Sequence, residues 1–309
     1  MGTRQSMIGI GTAQFGLDYG ISNRDGQVYY AEAERILSIA SELNIRVIDT
    51  AALYGDSEGV IGRIIGDDRR FDIVTKTPKT DQERVTANDV DQMVATFHQS
   101  LKKLRRDKVY GLLVHDCDDL LKPGGEMLAE AMAELRSDNL VGKIGVSIYS
   151  GEQIDRIMRL FTPNIAQVPL SVFDQRLITD GRLARLRAAG VEVHSRSTFL
   201  QGLLLMNPES LPVSLDPIGK HLADWKQYLD GVNLTPLQAA IQFVCNHTDI
   251  DRVIVGVCSH DELRQIHEAS LCAENSYAHP ERWAYHDERM LNPARWTENP
   301  TKITEGVTA

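Results

Sequence analysis

Short apolar segments alternate along this chain with longer segments in which apolar residues recur at helical spacing. The short segments have the length of buried strands, and the longer ones have the period of amphipathic helices. The pattern predicts strands at 7–10, 46–50, 71–76, 109–115, 143–147, 165–169, 191–195 and 252–257. It predicts helices at 31–43, 56–65, 87–104, 125–136, 152–160, 181–189, 236–246 and 261–269.

Strands and helices that alternate in this way predict a closed (β/α)8 TIM barrel, for which roughly 250 residues suffice. An open doubly wound sheet alternates similarly, but its first strand usually leads into a G-x-G-x-x-G turn. Gly9, Gly11 and Gly16 do not have that spacing. Because no internal repeat or shift in composition marks a second domain, we predict one barrel over residues 1–270.

Two segments extend beyond the repeating unit: the long connection 12–30 after the first strand and a C-terminal extension, 271–309. Loops that follow barrel strands surround the active-site mouth, so the first connection is a candidate wall of the substrate pocket. The extension contains Trp283 and Trp296, whose large rings predict that it docks on the barrel. Its polar end beyond Trp296 is predicted to fray.

Composition and charge indicate which kinds of molecule this protein can bind. A hydrophobic fraction of 42% with 25% charged residues is typical of a folded protein with a sizeable core. The net charge of -10 argues against nucleic acid and anionic membranes as general partners, and no apolar run approaches the ~20 residues of a membrane-spanning helix. The absence of a CxxC pair and of an apolar leader in 1–9 predicts a reduced, cytoplasmic protein. The acidic run after His115 lacks a recognised ligand spacing, so no metal site is assigned.

Chemically active side chains cluster where three successive predicted strands end. Asp49 and Tyr54 lie at and just beyond the second strand, Lys76 ends the third and His115 ends the fourth. Each alone is most often structural, but the carboxyl ends of barrel strands open into one mouth, where these four side chains are expected to meet.

This set suits the reduction of a carbonyl group by a bound nicotinamide, because hydride transfer to carbon must be matched by protonation of oxygen. Tyr54 is the predicted proton donor. The ammonium of Lys76 is expected to bring the pKa of this phenol below its reference value of ~10, and Asp49 to keep that ammonium charged. His115 is expected to donate a hydrogen bond to the substrate oxygen, with its protonation state left open.

The segment 49–58, with the sequence DTAALYGDSE, resembles the signature of the aldo-keto reductase family. The likeness extends from the GIGT sequence at 9–12 to the segment 252–269, and so covers most of the chain. The resemblance implies a barrel that reduces carbonyl compounds, with a catalytic tetrad of Asp49, Tyr54, Lys76 and His115.

The resemblance also implies a site for NADP(H) or NAD(H). Two positions depart from the family pattern, because Ile148 replaces an asparagine that binds the nicotinamide amide and Arg196 replaces a common aromatic residue. A guanidinium plane can still stack, although a cationic nicotinamide is disfavoured beside it. The implied cofactor contacts are Thr12, Ser147, Gln167, Arg196, Ser197, Phe199, Gln201, Gly202, Gly256, Ser259, Glu262 and Gln265.

Glu262 leaves the choice between NADP and NAD open. Many NADP-preferring relatives have arginine or glutamine at the corresponding position. A carboxylate there repels a 2′-phosphate and can instead accept hydrogen bonds from ribose hydroxyls.

We therefore expect an oxidoreductase that reduces an aldehyde, ketone or sugar carbonyl to an alcohol, with a small-molecule carbonyl substrate as its partner. Two alternatives stay open: a regulatory subunit that binds cofactor with little turnover, and a non-redox barrel isomerase. The sequence does not constrain the oligomeric state.

Overall fold

The structure, a computed structural model, describes residues 6–271 and 278–296 of the chain. Within those residues, eight parallel strands close into a barrel in sequence order. The barrel closes because the last strand pairs with the first, with Ile10 opposite Val255. The predicted (β/α)8 barrel is confirmed. The strands are β1 Ile8–Gly11, β2 Val47–Asp49, β3 Asp72–Lys76, β4 Val109–Val114, β5 Val141–Ser147, β6 Ile165–Pro169, β7 Glu192–Arg196 and β8 Arg252–Gly256.

Helices cover the outside of the barrel, and several begin where the sequence supplies a cap. Thr235 and Gln238 form a reciprocal capping box at one such start, with Pro236 in the first turn. No helix in the described part of the chain is long and apolar enough to cross a lipid bilayer. The α-helices are α1 Ala13–Gly16, α2 Tyr30–Glu42, α3 Ser57–Ile65, α4 Ala87–Leu104, α5 Glu126–Ser137, α6 Gly151–Leu160, α7 Arg176–Thr179, α8 Arg182–Ala188, α9 Asp216–Gly231, α10 Pro236–Cys245, α11 His260–Leu271 and α12 Glu288–Leu291.

Some elements differ from the predicted pattern. The strand predicted at 191–195 instead includes Arg196 as its last residue. The 16-residue helix α9 was not predicted, although Ile218, Leu222 and Leu229 are buried at helical spacing. A simple strand–helix repeat has one helix in each connection. Because α10 was predicted between β7 and β8, the repeat gave no reason to expect α9 in the same connection.

The inside of the barrel is filled by side chains. Val47, Val74, Leu113, Ile165 and Ile254, from five different strands, form one buried layer. Residues that alternate with them along the strands point outward and pack under the helices. The barrel is therefore a packed core rather than a pore.

The segment 278–296 packs on one side of the barrel. The indole rings of Trp283 and Trp296 lie in a buried cluster that contains Phe173, from the β6–α7 connection, and Trp225 of α9. The backbone N–H of Tyr285 donates to the carbonyl of Phe173 at 2.8 Å. The division of the chain at 270/271 stays a prediction, and the predicted frayed end beyond Trp296 lies outside the described residues.

Trp283 contributes to stability as a core residue. We expect Trp283→Ala to lower the free energy of unfolding by about 3 kcal/mol, because the side chain is buried and its loss leaves a cavity. Val213→Ala is the control, since Val213 is 72% exposed. Chemical denaturation followed by circular dichroism measures both variants, and equal, small effects would count against docking of this segment.

Candidate active site

The polar side chains at the mouth of the barrel follow directly from strand alternation. Asp49 lies two residues after Val47, and Lys76 lies two residues after Val74, so both point into the barrel like the apolar layer below them. Gln167 stands in the same relation to Ile165 on β6. An interior position at the end of the strand thus places an acid, an amine and an amide together.

Asp49 and Lys76 form a buried ion pair that Gln167 completes. The ammonium Nζ of Lys76 donates to Asp49 Oδ2 at 2.6 Å and to the carbonyl of Thr50 at 3.0 Å. The amide Nε2 of Gln167 donates to the other carboxylate oxygen, Oδ1, at 2.7 Å. The two charged side chains are 6% and 1% exposed, so each charge depends on the other to be held away from water.

Tyr54 lies on the turn between β2 and α3, and backbone packing fixes that turn. Gly16 of α1 is so close that a Cβ atom there would lie 1.9 Å from the carbonyl oxygen of Tyr54. Gly55 has a positive φ of 54°, and a Cβ atom there would lie 2.4 Å from the carbonyl oxygen of Gly16. Beside this contact, Ser57 Oγ donates to Thr12 O at 2.9 Å. The first connection and the Tyr54 turn are therefore held as one unit.

The rings of Tyr54 and His115 meet edge to face, with their centroids 5.7 Å apart. The ammonium of Lys76 lies 5.2 Å from the centroid of the Tyr54 ring. The structure thus brings together all four residues of the predicted tetrad.

Burial raises the pKa of Tyr54 above its ordinary range, and the negative charge of Asp49 raises it further. The expectation that Lys76 lowers the pKa of this phenol is therefore wrong for this structure. The ammonium of Lys76 favours the tyrosinate, but the loss of water around the ring and the negative charge of Asp49 outweigh it. Tyr54 consequently holds its proton throughout the physiological range of pH.

His115 is neutral. Burial lowers its pKa to about 3, and the positive charges of Lys76, Lys79 and Arg196 lower it in the same direction. Its ring atom Nδ1 is buried without a hydrogen-bond partner among the described residues. The protonation state that the sequence left open is thus settled by burial and by neighbouring cations.

A cavity of about 750 Å³ opens beside the tetrad, and Asp49 and Tyr54 line it. Its size lies in the range of small-molecule and cofactor sites. Ser147 and Ser259 are outside the lining, as are the side chains of Lys76 and His115. The other predicted cofactor contacts all line it: Thr12, Gln167, Arg196, Ser197, Phe199, Gln201, Gly202, Gly256, Glu262 and Gln265.

Several of these lining residues already have partners within the protein, among them Thr12 and Glu262. The Thr12 side chain is fully buried, and its hydroxyl donates to the carbonyl of Asp49 at 2.9 Å. Glu262 Oε2 accepts a hydrogen bond from the backbone N–H of Cys258 at 2.7 Å. Thr12 therefore supports the strand end, and Glu262 closes the turn at the start of α11.

Sequence reasoning missed Gln14 and Tyr19, which also line the cavity from the first connection. Gln201 Nε2 donates to the Tyr19 hydroxyl at 3.1 Å, and burial raises the pKa of Tyr19 to about 12. The side-chain oxygen of Gln14 is buried without a partner in the described part of the chain. Neither residue follows a strand directly, so strand ends gave no signal for them.

The sequence model of the Aldo/keto reductase family matches residues 7–279. The chain belongs to the Aldo/keto reductase family. The match includes all eight strands and every member of the tetrad, so the family resemblance of the 49–58 segment is confirmed for the chain as a whole.

Individual relatives match only part of this chain, at about 30% identity. An aldo-keto reductase of Mycolicibacterium smegmatis is 32% identical over 155 residues, which are 47% of this chain and 50% of the relative. Aldo-keto reductase YhdN of Bacillus subtilis is 31% identical over 185 residues, 57% of this chain and 53% of the relative. The chain thus spans about half the length of the curated relatives it matches.

A solved structure shows the same architecture over nearly the whole chain. The holo form of an aldo-keto reductase from Bacillus halodurans superposes with a TM-score of 0.73, covering 93% of this chain and 96% of the other. At 19% identity, this likeness supports the shared fold of the two aldo/keto reductases.

The Gly16 contact generates a first prediction at the site. We expect Gly16→Ala to lower the free energy of unfolding by about 2 kcal/mol, because the new methyl group collides with backbone that cannot rotate away. Gly231→Ala is the matched control, since a Cβ atom at Gly231 meets nothing within 4 Å. Urea denaturation compares the two, and equal stability would mean that the Tyr54 turn is not packed against α1.

The neutrality of His115 generates a second prediction. We expect the ring signals of His115 in NMR spectra to stay constant between pH 8 and about 5, since its lowered pKa keeps the folded protein neutral at this position. In the urea-unfolded protein the same ring takes up a proton near ~6.5, so folding stability decreases as pH falls below that value. A His115 signal that moves near pH 6.5 in the folded protein would contradict the buried, neutral assignment.

Proposed function

We propose that this protein reduces the carbonyl group of a small molecule with a nicotinamide cofactor, and that Tyr54 donates the proton. The observation that carries the proposal is the protonated Tyr54 ring beside a buried Asp49–Lys76 pair and a neutral His115. Reductases among the relatives make the same reaction class the expected one for this chain.

The cavity beside Tyr54 fits a nicotinamide dinucleotide in its size and polar groups. Gly256 is part of its wall, and a Cβ atom there would lie 2.6 Å from the Gln14 amide, so the Gln14 side chain packs directly on this glycine. The Gln14 oxygen, which has no partner among the described residues, is available to a ligand N–H. Gln167, Ser197 and Gln201 provide further amide and hydroxyl groups along the lining.

When bound, a reduced nicotinamide supplies a hydride to the carbonyl carbon. Tyr54 gives its hydroxyl proton to the carbonyl oxygen, which otherwise becomes an alkoxide. Lys76 stabilises the tyrosinate that results, and Asp49 holds the ammonium at the required place. His115, being neutral, donates at most one N–H and helps to position the substrate oxygen. A proton from solvent restores Tyr54 after the alcohol leaves.

The cofactor preference follows from Glu262. Its carboxylate occupies the N–H of Cys258 at the start of α11, where a helix N-terminus otherwise attracts anions. A 2′-phosphate at this place meets a carboxylate in place of a free donor. We therefore assign NAD(H) as the preferred cofactor, with Glu262 accepting hydrogen bonds from ribose.

The proton-donor role is tested by Tyr54→Phe. We expect the turnover number to fall about 100-fold or more while cofactor affinity stays within about threefold, because the variant removes only the acid hydroxyl. Tyr29→Phe is the control, since Tyr29 is 79% exposed. Loss of nicotinamide absorbance with a panel of carbonyl compounds measures turnover, and cofactor fluorescence measures binding.

Each other outcome of this assay supports a different function. Unchanged turnover in Tyr54→Phe removes the phenol from the mechanism. Tight cofactor binding by the wild type without turnover supports a regulatory subunit. Carbonyl or sugar conversion without any change in nicotinamide absorbance supports an isomerase.

The role of Glu262 is tested by Glu262→Gln. We expect the wild type to bind NADH at least about tenfold more tightly than NADPH, since a carboxylate repels the additional phosphate. The variant removes the charge and is expected to reduce this preference. Fluorescence titration with both cofactors measures it, and a wild-type protein that prefers NADPH would disprove the role of Glu262.

A further inference from the structure

Arg196 is a cation at the mouth of the barrel with no acidic partner among the described residues. It is the last residue of β7 and lines the same cavity as Tyr54. Its guanidinium donates to the carbonyl of Ile148 at 3.0 Å and to the hydroxyl of Ser197 at 3.2 Å. Within residues 6–271 and 278–296, it forms no ion pair with a carboxylate. Its hydrogen bonds therefore position its charge without neutralising it.

The guanidinium is also held in a fixed plane. Its Cζ atom lies 4.2 Å from the centroid of the Tyr149 ring, a stacking distance for the two flat groups. The stack, together with the bonds to Ile148 and Ser197, restrains rotation of a long side chain that is only half-buried. Because less rotamer freedom is lost on binding, a fixed fork of N–H donors binds a ligand more favourably than a mobile one.

Arg196 is one of the positive charges that act on Tyr54 and His115 at the mouth. Lys76 is neutralised by Asp49 at 2.6 Å, and His115 is uncharged. The charge of Arg196 lowers the pKa of both Tyr54 and His115, so it acts on the two groups that face the reacting carbonyl. The carboxylate of Glu262, which also lines this cavity, accepts a hydrogen bond from the N–H of Cys258.

The chain as a whole has a net charge of -10 and on average repels anions. An anionic group that reaches the mouth there meets an uncompensated guanidinium in a half-enclosed cavity, where charge interactions are stronger than in bulk water. Planar, bidentate recognition of oxyanions is the characteristic use of arginine.

From this environment we infer that Arg196 selects a substrate that carries an oxyanion, a carboxylate or a phosphate, close to its carbonyl group. The inference rests on the proposed function for the reaction, but the anion site itself is independent of turnover. Tyr149 and Ile148 act here as positioning groups, because they hold the guanidinium without touching the anion.

Binding without chemistry tests the site directly. The probes are benzoate, phenyl phosphate and the neutral amide benzamide, titrated by calorimetry into the protein saturated with oxidised cofactor. We expect benzoate or phenyl phosphate to bind at least about tenfold more tightly than benzamide, since only the anions pair with a guanidinium. Whichever anion binds more tightly identifies the oxyanion as carboxylate or phosphate, and equal binding of all three probes overturns the inference.

Two variants and a control assign the effect to Arg196. Arg196→Gln is expected to lose about tenfold in anion affinity with little change for benzamide, and Arg196→Lys to retain part of it, because the charge remains without the fork. Arg69→Gln removes the same charge at an exposed site and is expected to change nothing. Equal losses for benzoate and benzamide in Arg196→Gln would indicate a structural role and overturn the inference.

Two further measurements distinguish a substrate anion site at Arg196 from a role in cofactor binding and from the proposed reduction itself. If Arg196→Gln weakens cofactor binding about as much as anion binding, Arg196 serves the cofactor and the inference fails. In turnover assays, the wild type is expected to prefer 4-carboxybenzaldehyde to its neutral amide analogue, and Arg196→Gln to lose that preference. Loss of anion binding in Arg196→Gln, with no turnover of any carbonyl by the wild type, supports the anion site and defeats only the proposed reduction. Turnover by the wild type without discrimination between the two aldehydes supports the proposed reduction and defeats the anion site.

Discussion

The ion pair between Asp49 and Lys76 is the interaction on which the rest of the site depends. Both charges lie inside the barrel, where neither is stable alone. Each member of the pair has one further hydrogen bond, Asp49 from the Gln167 amide and Lys76 to the carbonyl of Thr50. Strands β2, β3 and β6 are thereby linked at their carboxyl ends, which is where the cavity opens.

This pair also contributes to the protonation states around it. Burial is the largest cause of the raised Tyr54 pKa, and the charge of Asp49 adds to it, so the phenol remains a complete acid in the resting protein. A proton donor needs its proton at the start of the reaction and a nearby cation once the proton has left. The 5.2 Å between Lys76 and the Tyr54 ring meets the second need. Arg196, at the end of β7, adds a positive charge to the lining of the same cavity.

Strand periodicity and strand ends were enough to predict the barrel and to bring the tetrad together. They work because a barrel forces every second residue inward and every carboxyl end to one face. The tetrad members are therefore fixed by local sequence. In contrast, Gln14 and Tyr19 reach the cavity from a long connection whose path depends on close packing of Gly16 and Gly55. No local pattern encodes such a path.

The protonation states of the site and the hydrogen-bond partners of its side chains could not be predicted from the sequence either. The sequence placed Lys76 beside Tyr54 correctly, but the direction of the phenol pKa depends on how completely Asp49 neutralises that charge and on how far water is excluded. The bond from Cys258 to Glu262 likewise depends on the fold of one turn. Arg196 was expected to stack, and only the structure shows that it stacks on Tyr149 and lacks an acidic partner among the residues described.

The most direct measurement for this account is the single-turnover rate of hydride transfer in Asp49→Asn, Lys76→Met and the variant that combines both. If the two residues act as one unit, each single variant slows transfer about 100-fold and the combination slows it little further, because the second change removes nothing that still functions. Losses that multiply in the combined variant would show that Asp49 and Lys76 act independently, and would contradict the buried ion pair as the centre of the site.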